Sequence, residues 1–290
     1  MQKGIILAGG KGTRLYPLTK NISKQLLPIY DKPMIYYSLS TLMLASIKDI
    51  LIISTSEDIG LYKKIFSDGS HLGLNLEYVT QPSPNGLAEA FILGEEFINR
   101  QKVALILGDN FFYGSNFSSI LMQAKNNRGG TVFLYSIDDP SAYGVAELNR
   151  NNKIISIEEK PIKPKSNLAV TGLYFYDENV VEYAKSLSPS SRGELEITDL
   201  NRIYIANESL NHVDLGRGFT WMDAGSFDTL QSVGHFVAAT QQRQGSKIAC
   251  IEEIALKNNW INLVQLKDLI KYNGNSEYTS YLKKLIIEEM

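Results

Sequence analysis

Apolar residues open the chain in short unbroken runs, linked by stretches of helical spacing. Ile5, Ile6 and Leu7 follow one another without polar alternation, the pattern of a parallel strand covered on both faces. Residues 49–54 and 103–107 repeat it, and 74–79 alternate as a strand. Between them Met34, Ile35, Leu39, Leu42 and Met43 recur at helical spacing behind Pro33, which suits a first helical turn. Residues 62–66 read as part of a short helix and 87–97 as a longer one. This β-α-β-α-β rhythm, with the more β-rich stretch that follows, predicts an α/β fold: a Rossmann-like, doubly wound, mixed but mainly parallel sheet flanked by helices, with a helical C-terminal segment. Ligands of such sheets bind beyond the carboxyl ends of the strands.

The pattern changes further along. Residues 132–136, 145–148, 154–157 and 169–176 are strand candidates, with Asn151-Asn152 as a hairpin turn. Residues 182–186 and 197–208 read as helices. Beyond 228 the spacing is helical at 229–242, 251–258, 263–272 and 276–288. Leu266, Leu269 and Ile270 form one apolar face, and Tyr281, Leu282, Leu285 and Ile286 another. With no linker, repeat or low-complexity tract, the expected division is a main domain over 1–228 with an inserted β region. Residues 229–290 then form a helical layer, within the same domain or at a subunit contact.

Charge narrows the partners. Lys+Arg 29 against Asp+Glu 31 gives a net −2, so no long-range field favours nucleic acid or an anionic membrane. Any phosphate ligand must be held by local basic residues. Cys250 is the single cysteine, which excludes an internal disulfide and fits a reducing compartment. No apolar run approaches the ~20 residues of a membrane span, and no leader pattern opens the chain. A cytoplasmic location is expected. His71, His212 and His235 are scattered and lack a cysteine cluster, which argues against zinc.

Chemistry concentrates where the first strand ends. Leu7-Ala8-Gly9-Gly10-Lys11-Gly12-Thr13-Arg14 is a glycine-rich, basic loop. Its peptide N–H groups suit a phosphate, and the Arg14 fork can hold two phosphate oxygens. The spacing fails the P-loop pattern, and the third glycine of the dinucleotide fingerprint is missing at Leu15. Asp109 and Asp223 each follow a strand candidate. Two such carboxylates with phosphate oxygens and water would make a hard-oxygen site suited to Mg²⁺.

Gly9-Gly10-x-Gly12-Thr13-Arg14-Leu15 followed by Lys24-Gln25-Leu26-Leu27-Pro28 resembles the sugar-phosphate nucleotidylyltransferases, and the later motifs resemble its short members that use dTTP and glucose 1-phosphate. The resemblance implies transfer of dTMP from dTTP to glucose 1-phosphate with loss of pyrophosphate, at the head of deoxysugar-nucleotide synthesis. It implies catalytic roles for Arg14, Lys24, Lys160 and Asp109, and Mg²⁺ on Asp109 and Asp223. Nucleotide contacts are implied for Leu7, Gly9, Gly10, Gly12, Thr13, Arg14, Lys24, Gln25, Gln81, Pro84, Gly86 and Asp109. Sugar-phosphate contacts are implied for Tyr143, Gly144, Glu159, Lys160, Val170 and Trp221. Members of this length are homotetramers inhibited by the final deoxysugar nucleotide at a subunit interface; the corresponding regions here are Tyr113-Gly114 and a strand at Cys250. Arg192 lies in a further matching stretch.

The sequence departs from the family pattern at Asn85, where Asp is expected, and at Glu89, where Gln is expected. Little effect on base choice is expected of Glu89. Ala224 and Phe227 replace polar residues after Asp223 and could alter its surroundings. Two alternatives stand beside the main reading. One is uridylyl transfer or dual use, since one methyl separates thymine from uracil and such a contact discriminates only about 10–200-fold. The other is a nucleotide-sugar-binding regulator without catalysis, against which the intact Arg14, Lys24, Asp109, Lys160 and Asp223 argue.

Overall fold

The computed structural model describes residues 2–10, 12–272 and 274–288; the basic charge expected at Lys11 lies outside them. Strands β1 (Gln2–Leu7), β2 (Pro28–Ile29), β3 (Lys32–Pro33), β4 (Asp49–Ser54), β5 (Asn75–Thr80), β6 (Lys102–Leu107) and β7 (Asn110–Tyr113) come first. Strands β8 (Gly130–Ser136), β9 (Gly144–Leu148), β10 (Ile154–Glu159), β11 (Leu168–Tyr176), β12 (Leu210–Asp214) and β13 (Thr220–Asp223) follow. The helices are α1 (Ile35–Leu44), α2 (Ile59–Phe66), α3 (Glu89–Leu93), α4 (Glu95–Ile98), α5 (Phe117–Asn126), α6 (Val180–Lys185), α7 (Ile197–Ala206), α8 (Phe227–Gln244), α9 (Ile251–Lys257), α10 (Leu263–Tyr272) and α11 (Glu277–Glu288).

Unbroken apolar runs make the centre of the sheet because both of its faces are covered. Ile6, Ile50, Ile52, Ala104 and Ile106 point into one apolar cluster with α1, α2, α5 and the tail helices. Their neighbours Ile5, Leu51, Ile53, Val103 and Leu105 point into another with α3, α4, α6 and α7. The order β6-β1-β4-β5 is parallel throughout. After β5 the chain returns to the far side of β1, so strand order reverses between β1 and β6. That is the switch point at which such sheets bind ligands.

The parallel rhythm stops at β6. Strand β11 pairs antiparallel with β6, β8 and β9, and β10 with β9. The expected helix over 87–97 is two pieces. Gly94 ends α3, and a β-carbon there would meet Ala90 O at 3.0 Å and Ile5 Cδ1 at 3.2 Å. The helix breaks where its backbone presses onto the sheet. Cys250 is not in a strand: Ala249 turns the chain at φ 53°, and Cys250 caps α9. Its buried thiol is pushed up to about 12, first by burial and then by Glu252. Among the described residues no helix is long and apolar enough to cross a membrane.

The tail joins the same core. Ile251, Ala255, Leu266 and Leu282 lie in the cluster that contains Ile6 and Leu39. Asp31, in the β2–β3 turn, clamps this end of the molecule. It accepts from Lys32, from Lys247 Nζ at 2.6 Å and from Gln241 Nε2 at 3.1 Å. Burial alone would raise the Asp31 carboxyl, but the hydrogen bonds from Lys247 and Lys32 hold it below the ordinary carboxylate value. Lys32 is itself only 4% exposed. Asp31→Asn therefore leaves a buried ammonium without its counter-charge and is expected to destabilise by about 3 kcal/mol, read as a lower urea midpoint at unchanged slope. Since the folded-state pKa is depressed, this contribution is full above the ordinary carboxylate value. It disappears as pH falls through the folded value, so the wild-type and variant midpoints are expected to converge in acid.

Candidate active site

Two strand ends meet over a short second ladder. Strand β6 delivers Gly108 and Asp109, and the chain continues at once into β7. Strand β13 pairs antiparallel with β7, with Asn110 opposite Asp223 and Phe112 opposite Trp221. One step beyond, Ala224 N–H donates to Asp109 O at 2.8 Å. Two aspartates 114 positions apart in sequence are thereby fixed side by side at the end of the sheet.

Asn110 secures this corner. Its Oδ1 accepts from Trp221 Nε1 at 2.7 Å and from Gly172 N at 3.0 Å, while its Nδ2 donates to Asp109 Oδ1 at 3.1 Å. Lys24 Nζ donates to Asp109 Oδ2. Burial pulls the Asp109 carboxyl up, but the charge and hydrogen bond of Lys24, together with the Asn110 and backbone donors, hold it below its ordinary value. Asp223 goes the other way: burial first, and then the Asp109 charge, raise it. Tyr143 OH donates to Asp223 Oδ1 at 3.1 Å. Arg14 stands on the other side. A β-carbon built on Gly225 would be 3.1 Å from Arg14 Nη2 and 3.3 Å from Asp223 Oδ2, so guanidinium and carboxylate crowd one backbone turn.

The glycine loop flanks this cluster. Gly12, left-handed at φ 56°, starts a turn over Thr13–Leu15, and its carbonyl accepts from Thr19 Oγ1 at 2.8 Å. Lys24 Cβ lies 3.3 Å from where a Gly12 β-carbon would stand. Gly10 at φ 114° faces open space. Gly9 lies under Gln81: a β-carbon there would sit 2.7 Å from Gln81 Oε1. Gly86, at φ 109°, packs so closely on the Leu195 backbone that a β-carbon would come within 2.4 Å of Leu195 O. Leu195 N donates to Asn85 O at 2.7 Å, and Ala88 N to Leu195 O at 3.1 Å, which pins the loop that carries Gln81.

A third group lies at the ends of β9 and β10. Thr198 Oγ1 donates to Glu159 Oε2 at 2.6 Å, and a β-carbon on Gly144 would be 3.4 Å from Thr198 Oγ1. Lys160 Nζ and Arg192 Nη2 stand 3.6 and 3.5 Å from Glu159 Oε1. Lys160 is held left-handed at φ 43° while its N–H donates to Tyr143 O at 3.0 Å. Such strain in a non-glycine residue persists where surroundings enforce it, commonly at functional sites. Tyr143 joins this group to the acidic pair.

The structure thus brings Gly9, Gly12, Arg14, Lys24, Gln81, Asp109, Tyr143, Gly144, Glu159, Lys160 and Asp223 into one connected set. Leu7, Gln25, Val170 and Trp221 lie beneath it, each under 9% exposed. Gln25 accepts from Ser23 Oγ, and Trp221 packs under Tyr143 with ring centroids 4.9 Å apart. Pro84 is exposed at the rim. Ala224 is fully buried against Ile29, Tyr37 and Phe111 and reaches Asp109 through its backbone, whereas Phe227 opens α8 half-exposed. Asn110 and Thr198 carry roles that the sequence does not assign: Asn110 offers only its place after Asp109, and Thr198 only its place in the matching stretch that holds Arg192.

A sheet with its glycine loop, basic pair and acidic pair at the switch point is the arrangement of an enzyme that handles phosphorylated substrates. The chain belongs to the nucleotidyl transferase family, whose model matches residues 3–240. It is 54% identical over 285 residues to the glucose-1-phosphate thymidylyltransferase of Neisseria meningitidis, covering 98% of this chain and 99% of that one. It is 48% identical over 284 residues to the enzyme of the same name from Mycobacterium tuberculosis, covering 98% and 99%. A solved Bacillus anthracis structure, assigned as a glucose-1-phosphate thymidylyltransferase and bound to sucrose, superposes with a TM-score of 0.75 at 42% identity, covering 81% of this chain and 95% of that one.

Asn110→Ala would leave the buried Trp221 Nε1–H and Gly172 N–H without their acceptor. The expected loss is about 3 kcal/mol of folding stability, checked by chemical denaturation; an unchanged midpoint would contradict the role given to Asn110.

Proposed function

We propose that the chain transfers dTMP from dTTP to glucose 1-phosphate, giving dTDP-glucose and pyrophosphate. The observation that carries this reading is the cluster of Asp109, Asp223, Lys24 and Arg14 at the strand ends, beside a glycine loop on one side and the Glu159–Lys160 pair on the other. The full-length likeness to enzymes of that name supports the choice of substrates.

The chemistry asks for electrostatics rather than a base. A phosphomonoester has its second pKa near about 6, so the sugar phosphate is already an ionised nucleophile at neutral pH. Its oxygen forms a bond to the α-phosphorus of dTTP as the bond to the bridging oxygen breaks and pyrophosphate leaves. Two anions must be aligned against their repulsion, and the leaving charge must be met. Arg14 and the glycine loop hold the triphosphate. Lys24 reaches the α-phosphate, and Lys160 holds the sugar phosphate beside it. Glu159, braced by Thr198, accepts from sugar hydroxyls, while Gln81 and Gly86 take the base.

Mg²⁺ fits the acidic pair. Two partly buried carboxylates stand close enough for Asp109 to raise Asp223, a repulsion that a divalent cation relieves. Among the described residues no third acidic, histidine or cysteine side chain completes a protein-only metal cluster. Substrate phosphate and water would supply the remaining ligands. Bound there, the cation would neutralise charge on the phosphates. The same reading takes the helices after 228 as a layer of the catalytic domain. It extends to a cytoplasmic homotetramer subject to feedback by a dTDP-deoxysugar.

Pyrophosphate release with glucose 1-phosphate and Mg²⁺ tests the proposal, comparing dTTP with UTP, ATP, CTP and GTP. The expected result is highest kcat/KM with dTTP, falling about a thousandfold in Asp109→Asn. A clear preference for UTP, or no turnover with any triphosphate, would overturn it.

A further inference from the structure

Glu89 opens α3 directly behind the loop that carries Gln81, and two side-chain amides converge on its carboxylate. Gln81 Nε2 donates to Oε2 at 2.7 Å, and Asn85 Nδ2 donates to Oε1 at 2.8 Å. A carboxylate only accepts, whereas an amide has one accepting and one donating end. Turning the Gln81 amide over would set its oxygen against Glu89 Oε2 at hydrogen-bond distance, acceptor against acceptor. Gln81 is 6% exposed, so water does not rescue that arrangement. Its Nε2 is therefore committed to Glu89, and its Oε1 is turned to Gly9, at the end of β1. The loop cannot swing to relieve the constraint, because the Leu195 backbone holds it at Asn85 and Ala88.

From this we infer that Glu89 is a positioning residue for base selection: by fixing the amide of Gln81 it presents a carbonyl acceptor to the base. The inference rests on the reading, given above, that Gln81 meets the base. A presented carbonyl accepts from a ring N–H, which thymine and uracil carry at N3. Cytosine offers a lone pair at the same position, and adenine does so at N1. The lock therefore selects bases with a ring N–H at that edge, thymine and uracil among the pyrimidines, and rejects cytosine through an unpaired, repulsive contact. A site built on a specific polar contact discriminates more strongly than one built on shape alone. The unusual pair of residues at 85 and 89 acts as a unit: the carboxylate at 89 takes both amides.

The test is pyrophosphate release with dTTP and with dCTP in the full chain, for wild type, Glu89→Gln, the double variant Asn85→Asp/Glu89→Gln, and Gln81→Ala. In Glu89→Gln the new amide can meet either face of Gln81, so the lock is lost. The dTTP-to-dCTP ratio of kcat/KM is expected to fall about tenfold. In the double variant the amide at 89 donates to the new carboxylate at 85. Its oxygen is then left to accept from Gln81, and the ratio is expected to return towards wild type. Loss of packing alone would not be reversed by moving the charge to position 85. An unchanged ratio in Glu89→Gln, or no recovery in the double variant, overturns the inference. Gln81→Ala separates the two layers. A collapsed ratio there with an intact one in Glu89→Gln removes only the role of Glu89. An intact ratio in Gln81→Ala removes the base-reading role of Gln81, and the inference falls with it.

Discussion

One short antiparallel ladder carries the arrangement on which everything else depends. Strands β7 and β13 are four residues each, yet their register sets Asn110 opposite Asp223, and Ala224 N–H closes the pair on Asp109 O. Without it, Asp223 would be a loop carboxylate remote from the sheet. With it, two carboxylates are held together at low solvent exposure, a placement that burial and mutual repulsion oppose. The fold meets that opposition with fixed donors and cations. Lys24 and Asn110 serve Asp109, Tyr143 serves Asp223, and Arg14 stands beside it. The corner is held by buried packing: Trp221 and Gly172 are tied through a single Asn110 oxygen.

The same logic explains how a chain of net charge −2 can serve anionic substrates. No general field draws phosphates in. Charge is instead local and paired, with Lys24 on Asp109, and Lys160 and Arg192 around Glu159. Each cation is poised beside a carboxylate in a half-sheltered cleft, where such interactions are stronger than in open water. The three clusters are mechanically joined. Tyr143 touches Asp223 by its hydroxyl and Lys160 by its carbonyl. Leu195 pins the Gln81 loop from the segment that also carries Arg192 and Glu196.

Much of this was legible in the chain. Strands β1, β4 and β6 announced themselves because a sheet covered on both faces needs unbroken apolar runs, and α1 because one of its faces is buried. The glycine loop, Arg14, Lys24, Asp109 and Asp223 sit inside long local motifs. The β7–β13 pairing was not legible, since four-residue strands joined across more than a hundred residues leave no local period. Asn110 and Thr198 escaped for the same reason: their partners, Trp221 and Glu159, are close only in the folded chain. The Asn151-Asn152 turn announced the antiparallel β9–β10 pair, whereas the partners of β11 left no local signal because it is as apolar as a parallel strand. Glu89 stands out in the sequence only as a departure from the family pattern, with little effect on base choice expected, because its place one turn into a helix says nothing of where its carboxylate points. The structure places both Gln81 and Asn85 on it.

The proposed cation site depends on the β7–β13 ladder holding Asp109 and Asp223 together. Mn²⁺ binding followed by electron paramagnetic resonance in the presence of dTTP, in wild type, Asp109→Asn and Asp223→Asn, addresses it directly. Either substitution is expected to weaken Mn²⁺ binding by at least about tenfold. Wild-type affinity in Asp223→Asn would contradict it, leaving Asp109 alone on the metal and the ladder without the role given to it here.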